Sequence, residues 1–128
     1  MITRLIKVPA LVLLLVTVMT AACQSQSAQE EGFQDLTVSE FKAKMAEDGV
    51  VVLDVRTPRE TAEGMIEGAQ EIDFRAADFN EQISTLDKNA TYLVYCHSGG
   101  RSSSACTIMK DMGFEHVYNL VGGYQRWK

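Results

Sequence analysis

The sequence predicts an α/β domain with a mainly parallel central sheet that is flanked by helices on both faces. Residues 50–53 and 92–95 are continuous runs of β-branched, apolar and aromatic residues, which is typical of strands buried on both faces. Segments with the apolar spacing of helices separate these and other strand-like runs, and this alternation favours βαβ units. A length of 128 residues suits one folded domain.

The N-terminal part of this domain begins with a predicted helix. Thr37 and Glu40 have the spacing of a capping box, so Thr37 is the expected N-cap. Gly49 is expected to end the helix, whose apolar face continues as far as residue 47. The first buried strand follows, and Pro58 then suits the first turn of a short helix.

The later elements alternate in the same way. The sequence predicts a short strand over residues 69–72, a helix with Phe79, Ile83 and Leu86 on one face, the second buried strand, a helix over residues 102–112, a strand over residues 117–120, and a short helix or turn over residues 122–128.

The first 22 residues are typical of a secretory signal peptide. Arg4 and Lys7 form a basic start, residues 8–19 form a short apolar run, and small residues precede Cys23. The apolar run is shorter than the roughly 20 residues that a membrane-spanning helix needs. An uncleaved N-terminal anchor or a buried helix is the alternative interpretation.

Residues 20–23, Thr-Ala-Ala-Cys, resemble the bacterial lipobox, which implies cleavage before Cys23 and acylation of that cysteine. Residues 23–32 then form a polar, flexible tether, and residues 33–128 form the folded domain. Because two or more acyl chains anchor a protein stably, we expect an exported bacterial lipoprotein that is membrane-anchored and faces the periplasm or the cell exterior. The alternative is an ordinary signal peptide that is cut near Ala22 and leaves Cys23 as a free thiol.

The composition disfavours several classes of partner and site. The formal net charge is −5 and the chain has no run of Lys or Arg, so nothing indicates nucleic acid or an anionic lipid surface as a partner. The His, Cys and acidic residues lack the spacing of metal ligands, and we expect neither a metal nor a cofactor. Three cysteines do not make the disulfide framework of a small secreted domain. We expect a monomer.

A cysteine at the end of the second buried strand is the strongest candidate for catalysis. Cys96 is followed by a loop with Gly99 and Gly100, then by Arg101 and the start of a helix. In a parallel sheet, ligands bind beyond the carboxyl ends of the strands, and the N–H groups of a loop at a helix start can converge on one point. Such dipoles favour the thiolate of Cys96, which is the nucleophilic form. Both glycines are expected to let the backbone curl without side-chain clashes.

Three stretches of the chain together resemble the rhodanese family, in the family's order: residues 51–69, 96–102 and 120–127. The resemblance implies a rhodanese-like fold and sulfurtransferase activity. It implies that Cys96 takes a sulfane sulfur from a small donor, such as thiosulfate or a persulfide, holds it as a persulfide, and passes it to a thiol or to cyanide. The implied cradle of backbone N–H groups comprises His97, Ser98, Gly99, Gly100, Arg101 and Ser102.

The resemblance also implies a support for this loop. An acidic residue in the position of Glu60 typically pairs with the loop arginine, here Arg101, although a solvated surface ion pair is an equal alternative. Asp54 and Arg56, at the end of the neighbouring strand, are grouped with this brace and are expected to be structural rather than catalytic. Other residues are given non-catalytic roles: His97 shapes the entrance, Cys106 is a buried inert thiol, and Gly122, Gly123 and Trp127 are packing residues.

Three other functions fit parts of the pattern. A phosphatase or arsenate reductase also places a thiolate in a loop before a helix, but only four residues separate Cys96 from Arg101, one fewer than in the dual-specificity phosphatases. The shorter loop suits one sulfur atom better than a tetrahedral oxyanion. A non-enzymatic binding module of the same fold commonly lacks the cysteine, which is present here. A thiol–disulfide protein is disfavoured because the chain has no Cys-x-x-Cys.

Overall fold

A computed structural model describes residues 32–128. The strands are β1 (Gln34–Leu36), β2 (Val50–Asp54), β3 (Gln70–Glu71), β4 (Thr91–Tyr95) and β5 (His116–Leu120). The helices are α1 (Val38–Met45), α2 (Pro58–Thr61), α3 (Phe79–Ser84), α4 (Gly100–Asp111) and α5 (Tyr124–Trp127). The five strands form one sheet in the order β1-β5-β4-β2-β3, and every neighbouring pair is parallel. The predicted α/β fold class is confirmed.

The predicted signal peptide (residues 1–22), Cys23 and the tether up to residue 31 lie outside the described residues. Between residues 32 and 128, the structure contains no helix that is both long enough and apolar enough to cross a membrane.

Two apolar clusters lie on opposite faces of the sheet, as strand β4 shows. Tyr92 and Val94 of β4 belong to the cluster that includes residues of α3 and α4. Leu93 and Tyr95, which alternate with them, belong to the cluster that includes residues of α1 and α5. Because successive side chains of a strand point to opposite faces, the sheet is covered by helices on both sides, as predicted. Cys96 continues the alternation and lies on the α4 side.

The N-terminal elements agree with the predicted capping box and differ from the prediction in two respects. The capping box is present, since the Glu40 N–H donates to Thr37 Oγ1 at 3.3 Å and the Thr37 N–H donates to Glu40 Oε2 at 2.8 Å. Helix α1 ends at Met45, slightly earlier than expected. Strand β1 was not predicted, because it has only three residues and its side chains are largely exposed at the sheet edge.

The bounds of three later elements also differ. Strand β3 has two residues, and α3 ends at Ser84, so that Leu86 follows the helix instead of lying in it. Helix α4 begins at Gly100, two residues earlier than predicted. Gly100 and Arg101 therefore belong to the first turn of α4, and the connection between Cys96 and the helix is shorter than the sequence indicated.

The sheet register places the ends of two central strands side by side. Asp54, the last residue of β2, is paired with Tyr95, the last residue of β4. The Val55 N–H donates to the Tyr95 carbonyl at 3.0 Å, which continues the pairing by one step. Cys96 therefore lies directly beyond the carboxyl edge of the sheet, where parallel α/β proteins bind ligands.

Candidate active site

The sulfur of Cys96 is surrounded by hydrogen-bond donors. The Gly99 N–H donates to Sγ at 3.1 Å, and the Ser102 hydroxyl lies 3.4 Å from Sγ. Cys96 is only 1% exposed. Burial raises the pKa of this thiol, but hydrogen bonds from the Ser102 hydroxyl and from the amides of Ser102, Gly99 and Ser98 outweigh burial, so the pKa is lowered. The site therefore favours a thiolate, which is the form that attacks sulfur.

One of the two loop glycines is required by the backbone. Gly99 has φ = 106°, in the left-handed region, and forms the N-cap of α4. A Cβ at Gly99 would lie 3.3 Å from the Gly122 nitrogen and 3.5 Å from the Leu120 carbonyl oxygen. Gly100 does not have a positive φ, and a Cβ there would meet nothing within 4 Å. The expectation that both glycines are needed for the curl is therefore wrong for Gly100.

Arg101 and Glu60 form a two-pronged ion pair across 41 residues of sequence. Arg101 Nη1 donates to Glu60 Oε2 at 2.8 Å, and Nη2 donates to Oε1 at 2.7 Å. The Thr57 N–H and hydroxyl also donate to Glu60 Oε2, at 3.0 and 2.8 Å. The Arg101 hydrogen bonds, together with the smaller contributions of Thr57, hold the pKa of Glu60 well below its usual range despite partial burial. The structure thus joins the first turn of α4 to the start of α2.

Asp54 and Arg56 lie in a separate, buried cluster. Arg56 Nη2 donates to Asp54 Oδ2 at 2.7 Å, and Nε donates to both carboxylate oxygens at 3.0 and 3.1 Å. The Tyr95 hydroxyl donates to Asp54 Oδ2 at 2.6 Å and accepts from the Ile66 N–H at 3.0 Å. Arg56 also donates to the Gly64 carbonyl at 2.6 Å. These hydrogen bonds link β2, β4 and the segment before β3, and none of them goes to residues 97–102. The expectation that Asp54 and Arg56 brace the loop together with Glu60 is therefore wrong as a direct contact.

The C-terminal segment contacts the backbone of the cysteine loop. The Tyr124 N–H donates to the Cys96 carbonyl at 2.8 Å, and the Gln125 N–H donates to the His97 carbonyl at 3.1 Å. A Cβ at Gly123 would lie 2.5 Å from the His97 carbonyl oxygen and 2.6 Å from that of Cys96. We expected Gly123 to be a packing residue, and Tyr124 and Gln125 were part of the family resemblance without a predicted role of their own. A pair of glycines before a terminal helix is the signal that could have indicated this close backbone approach.

The remaining predicted residues surround or underlie the loop. The side chains of His97 and Ser98 are exposed, on the solvent side of the loop. Cys106 is fully buried in the cluster on the α4 side of the sheet, one helical turn after Ser102. Burial raises the pKa of Cys106, so its thiol stays protonated and unreactive at neutral pH.

Comparison with known proteins places this geometry in a family. Residues 37–128 match the Rhodanese-like domain family. The chain belongs to the rhodanese-like family. It is 37% identical over 99 residues to the thiosulfate sulfurtransferase GlpE of Pseudomonas entomophila, and the alignment covers 71% of this chain and 88% of GlpE.

Solved structures agree with this assignment. A rhodanese-like domain protein of Staphylococcus aureus superposes with a TM-score of 0.67 at 29% identity, over 75% of this chain and 92% of that one. A protein of Rhodopseudomonas palustris, described as of unknown function and as a possible tyrosine phosphatase, gives a TM-score of 0.62 at 27% identity, over 74% of this chain and 79% of that one. The fold is therefore shared with a rhodanese-like domain protein and with a protein described as a possible tyrosine phosphatase.

Proposed function

We propose that this rhodanese-like protein is a sulfurtransferase in which Cys96 carries the sulfur. The observation that supports this most directly is the environment of Cys96 Sγ, which receives hydrogen bonds from the loop amides and from Ser102. Such a cradle stabilises a compact anion at one point. A thiolate and the terminal sulfur of a persulfide are both anions of this kind.

The proposed reaction is a double displacement with thiosulfate as donor. The Cys96 thiolate attacks the outer sulfur of thiosulfate, a sulfur–sulfur bond to Cys96 forms, and the bond to the sulfonyl sulfur breaks, releasing sulfite with its electron pair. A nucleophilic acceptor, a thiolate or cyanide, then attacks the outer sulfur of the persulfide. Cyanide leaves as thiocyanate, and Cys96 returns to the thiolate, so no external oxidant or reductant is consumed.

The donor and acceptor classes are supported by the relatives and by the exposure of the loop. GlpE, which is 37% identical, is named as a thiosulfate sulfurtransferase. His97 and Ser98 are exposed beside the buried sulfur, so a small donor or acceptor approaches Cys96 past these two residues.

A phosphatase is less well supported by the site. The cation in this loop that could bind a tetrahedral oxyanion with two parallel hydrogen bonds is the guanidinium of Arg101. Both Nη atoms of Arg101 are instead paired with Glu60, at 2.8 and 2.7 Å. A non-enzymatic module does not explain why the thiol of Cys96 has a lowered pKa. We therefore expect negligible aryl-phosphatase activity.

The deciding experiment is intact mass spectrometry of residues 33–128. Incubation with thiosulfate is expected to add one sulfur atom to the protein, and cyanide is expected to remove it and yield thiocyanate. The Cys96→Ala variant should gain no sulfur, whereas the matched Cys106→Ser variant should gain it as the wild type does. Sulfur uptake by Cys96→Ala, or Cys96-dependent release of phosphate from an aryl phosphate, would overturn the proposal.

We further propose that the chain is exported and lipid-anchored through Cys23. The support is the basic start, the short apolar run and the small residues before this cysteine. Cys23→Ser is expected to leave the precursor unprocessed or to release the protein from the membrane fraction. Unchanged electrophoretic size together with unchanged fractionation would contradict lipid attachment.

A further inference from the structure

The helix that ends the chain contributes its first amides to the cysteine loop. Tyr124 and Gln125 are the first two residues of α5, and the first N–H groups of a helix have no acceptor within it. Here they donate to the carbonyls of Cys96 at 2.8 Å and of His97 at 3.1 Å. The first N–H groups of α5 and the carbonyls of the loop therefore satisfy each other's hydrogen-bonding capacity.

These two hydrogen bonds determine the direction of the amides that follow each carbonyl. A trans peptide is planar, so its N–H points away from its C=O. With the His97 oxygen held toward Gln125, the Ser98 N–H points to the opposite side, and that amide is one of the donors that lower the pKa of Cys96. In the same way, the hydrogen bond from Tyr124 to the Cys96 carbonyl fixes the orientation of the His97 amide.

Two further features hold residues 123–125 against the cysteine loop. Gly123 has φ = 61°, and a Cβ there would lie 2.5 Å from the His97 carbonyl carbon and oxygen, so only glycine allows this approach. The guanidinium of Arg56 lies 4.2 Å from the centre of the Tyr124 ring, and Arg56 is itself paired with Asp54. The buried ion pair thus reaches the loop through Tyr124, although it makes no direct hydrogen bond to residues 97–102.

We propose that residues 123–125 form a backbone clamp that fixes the peptide planes 96–97 and 97–98, so that the loop amides face the sulfur of Cys96. Gly123, Tyr124 and Gln125 are positioning residues, because they act through the loop backbone. The proposal rests on the proposed function only in taking Cys96 as the reacting thiol. Without the clamp, the peptide planes can rotate, the Ser98 amide is lost as a donor, and the thiolate is less favoured.

The test measures the pH midpoint of Cys96 alkylation by iodoacetamide in the full-length chain in detergent. Peptide mass spectrometry distinguishes Cys96 from Cys23 and Cys106. Gly123→Ala is expected to raise the midpoint by about one pH unit, which is about a tenfold lower thiolate fraction at any pH well below both midpoints. Gly68→Ala is the matched control: its φ is also positive, at 80°, but its Cβ would meet nothing within 4 Å. It should lower the melting temperature without moving the midpoint.

A second pair of variants tests the contact between Gln125 and His97. Gln125→Pro removes the N–H that donates to His97 and places a ring carbon where the hydrogen stood, so the His97 carbonyl has to move away, whereas Gln125→Ala removes the same exposed side chain and keeps the N–H. The clamp requires a raised midpoint for Gln125→Pro and a wild-type midpoint for Gln125→Ala. Wild-type midpoints in both Gly123→Ala and Gln125→Pro, with native circular dichroism, would overturn it, as would an equal shift in Gly68→Ala.

The alkylation assay contains no sulfur donor, so the two proposals fail separately. Shifted midpoints in a protein that takes up no sulfur from thiosulfate would refute the proposed function and keep the clamp. Normal sulfur uptake with unshifted midpoints would refute the clamp and keep the function.

Discussion

Replacing Glu60 with glutamine tests how much the ion pair with Arg101 stabilises the domain. The substitution keeps the shape of the side chain and removes its charge. One amide oxygen can still accept a hydrogen bond, but the amide NH₂ replaces the other carboxylate oxygen and faces an Arg101 Nη, which is itself a donor. The two-pronged ion pair is therefore reduced to one hydrogen bond from the charged Arg101 guanidinium to an uncharged oxygen.

The expected loss of stability is about 1–2 kcal/mol at pH 7. Two hydrogen bonds between charged groups would contribute roughly 3–6 kcal/mol if they were fully buried. The side chains of Arg101 and Glu60 are 19% and 31% exposed, so water screens the pair and competes for it, and part of the hydrogen bonding remains in the variant. In a domain of this size, each kcal/mol corresponds to about 4–8 °C in melting temperature.

The difference in unfolding free energy between wild type and Glu60→Gln should depend on pH. The pKa of Glu60 is lower in the folded state than in the unfolded chain, where a glutamate titrates near about 4.3. A carboxyl group of this kind contributes its full stability above about pH 5 and loses it as the pH falls through the acidic range. Urea unfolding of residues 33–128 should therefore show a smaller difference in unfolding free energy between wild type and Glu60→Gln at about pH 3.5 than at pH 7.

Glu47→Gln is the matched control for this experiment. Glu47 pairs with Lys44 at 3.3 Å, but its side chain is 58% exposed, and the loss should be at most about 0.5 kcal/mol. The reasoning is refuted if Glu60→Gln is no less stable than Glu47→Gln at pH 7. It is also refuted if the gap between wild type and Glu60→Gln is as large at about pH 3.5 as at pH 7.

Three further outcomes are expected. Ser102→Ala should raise the pKa of Cys96 by about one unit, because the hydroxyl that lies 3.4 Å from Sγ is lost; the pH dependence of Cys96 alkylation measures this shift. An unchanged alkylation midpoint would mean that the hydroxyl donates only to the Gly99 carbonyl, 3.1 Å away. Arg101→Lys should lower the melting temperature by nearly as much as Glu60→Gln, since an ammonium cannot replace the two-pronged contact, and a wild-type thermal unfolding curve would contradict that. Cys106→Ser should form thiocyanate from thiosulfate and cyanide at a rate within about twofold of wild type, because the Cys106 thiol stays protonated. A loss of rate on the order of 100-fold would show that Cys106 takes part in the reaction.

The central strands could be predicted from the sequence because they are buried on both faces. Strands β2 and β4 are apolar along most of their length, which no exposed element tolerates. Edge strand β1 has three residues with mostly exposed side chains and was not predicted, whereas β3 was predicted over residues 69–72 and comprises only residues 70 and 71. Hydrophobic pattern detects burial, and β1 is largely exposed; backbone pairing with β5 and the hydrogen bond from Asn119 to Asp35 hold it in the sheet.

The site could be predicted only in part. Position at the end of a buried strand indicated Cys96, and a resemblance to relatives indicated that Glu60 would meet Arg101. Spacing could not have shown that contact, since 41 residues separate the two. The hydroxyl of Tyr95 was missed because an aromatic residue in a strand looks purely apolar, yet it donates to Asp54 at 2.6 Å. Contacts made by the main chain, such as those of Tyr124 and Gln125, leave no trace in side-chain chemistry.

The lengths of the strands bear on how copies of this protein behave when they are crowded. The three inner strands have five residues each, whereas the outermost strands β1 and β3 have three and two. An edge strand that short presents few free N–H and C=O groups on which a neighbouring copy could extend the sheet. Lipid anchoring, as proposed above, would confine many copies to one plane and greatly raise the frequency of their encounters. A sheet with such short borders would then let those copies collide sideways without pairing into a continuous sheet.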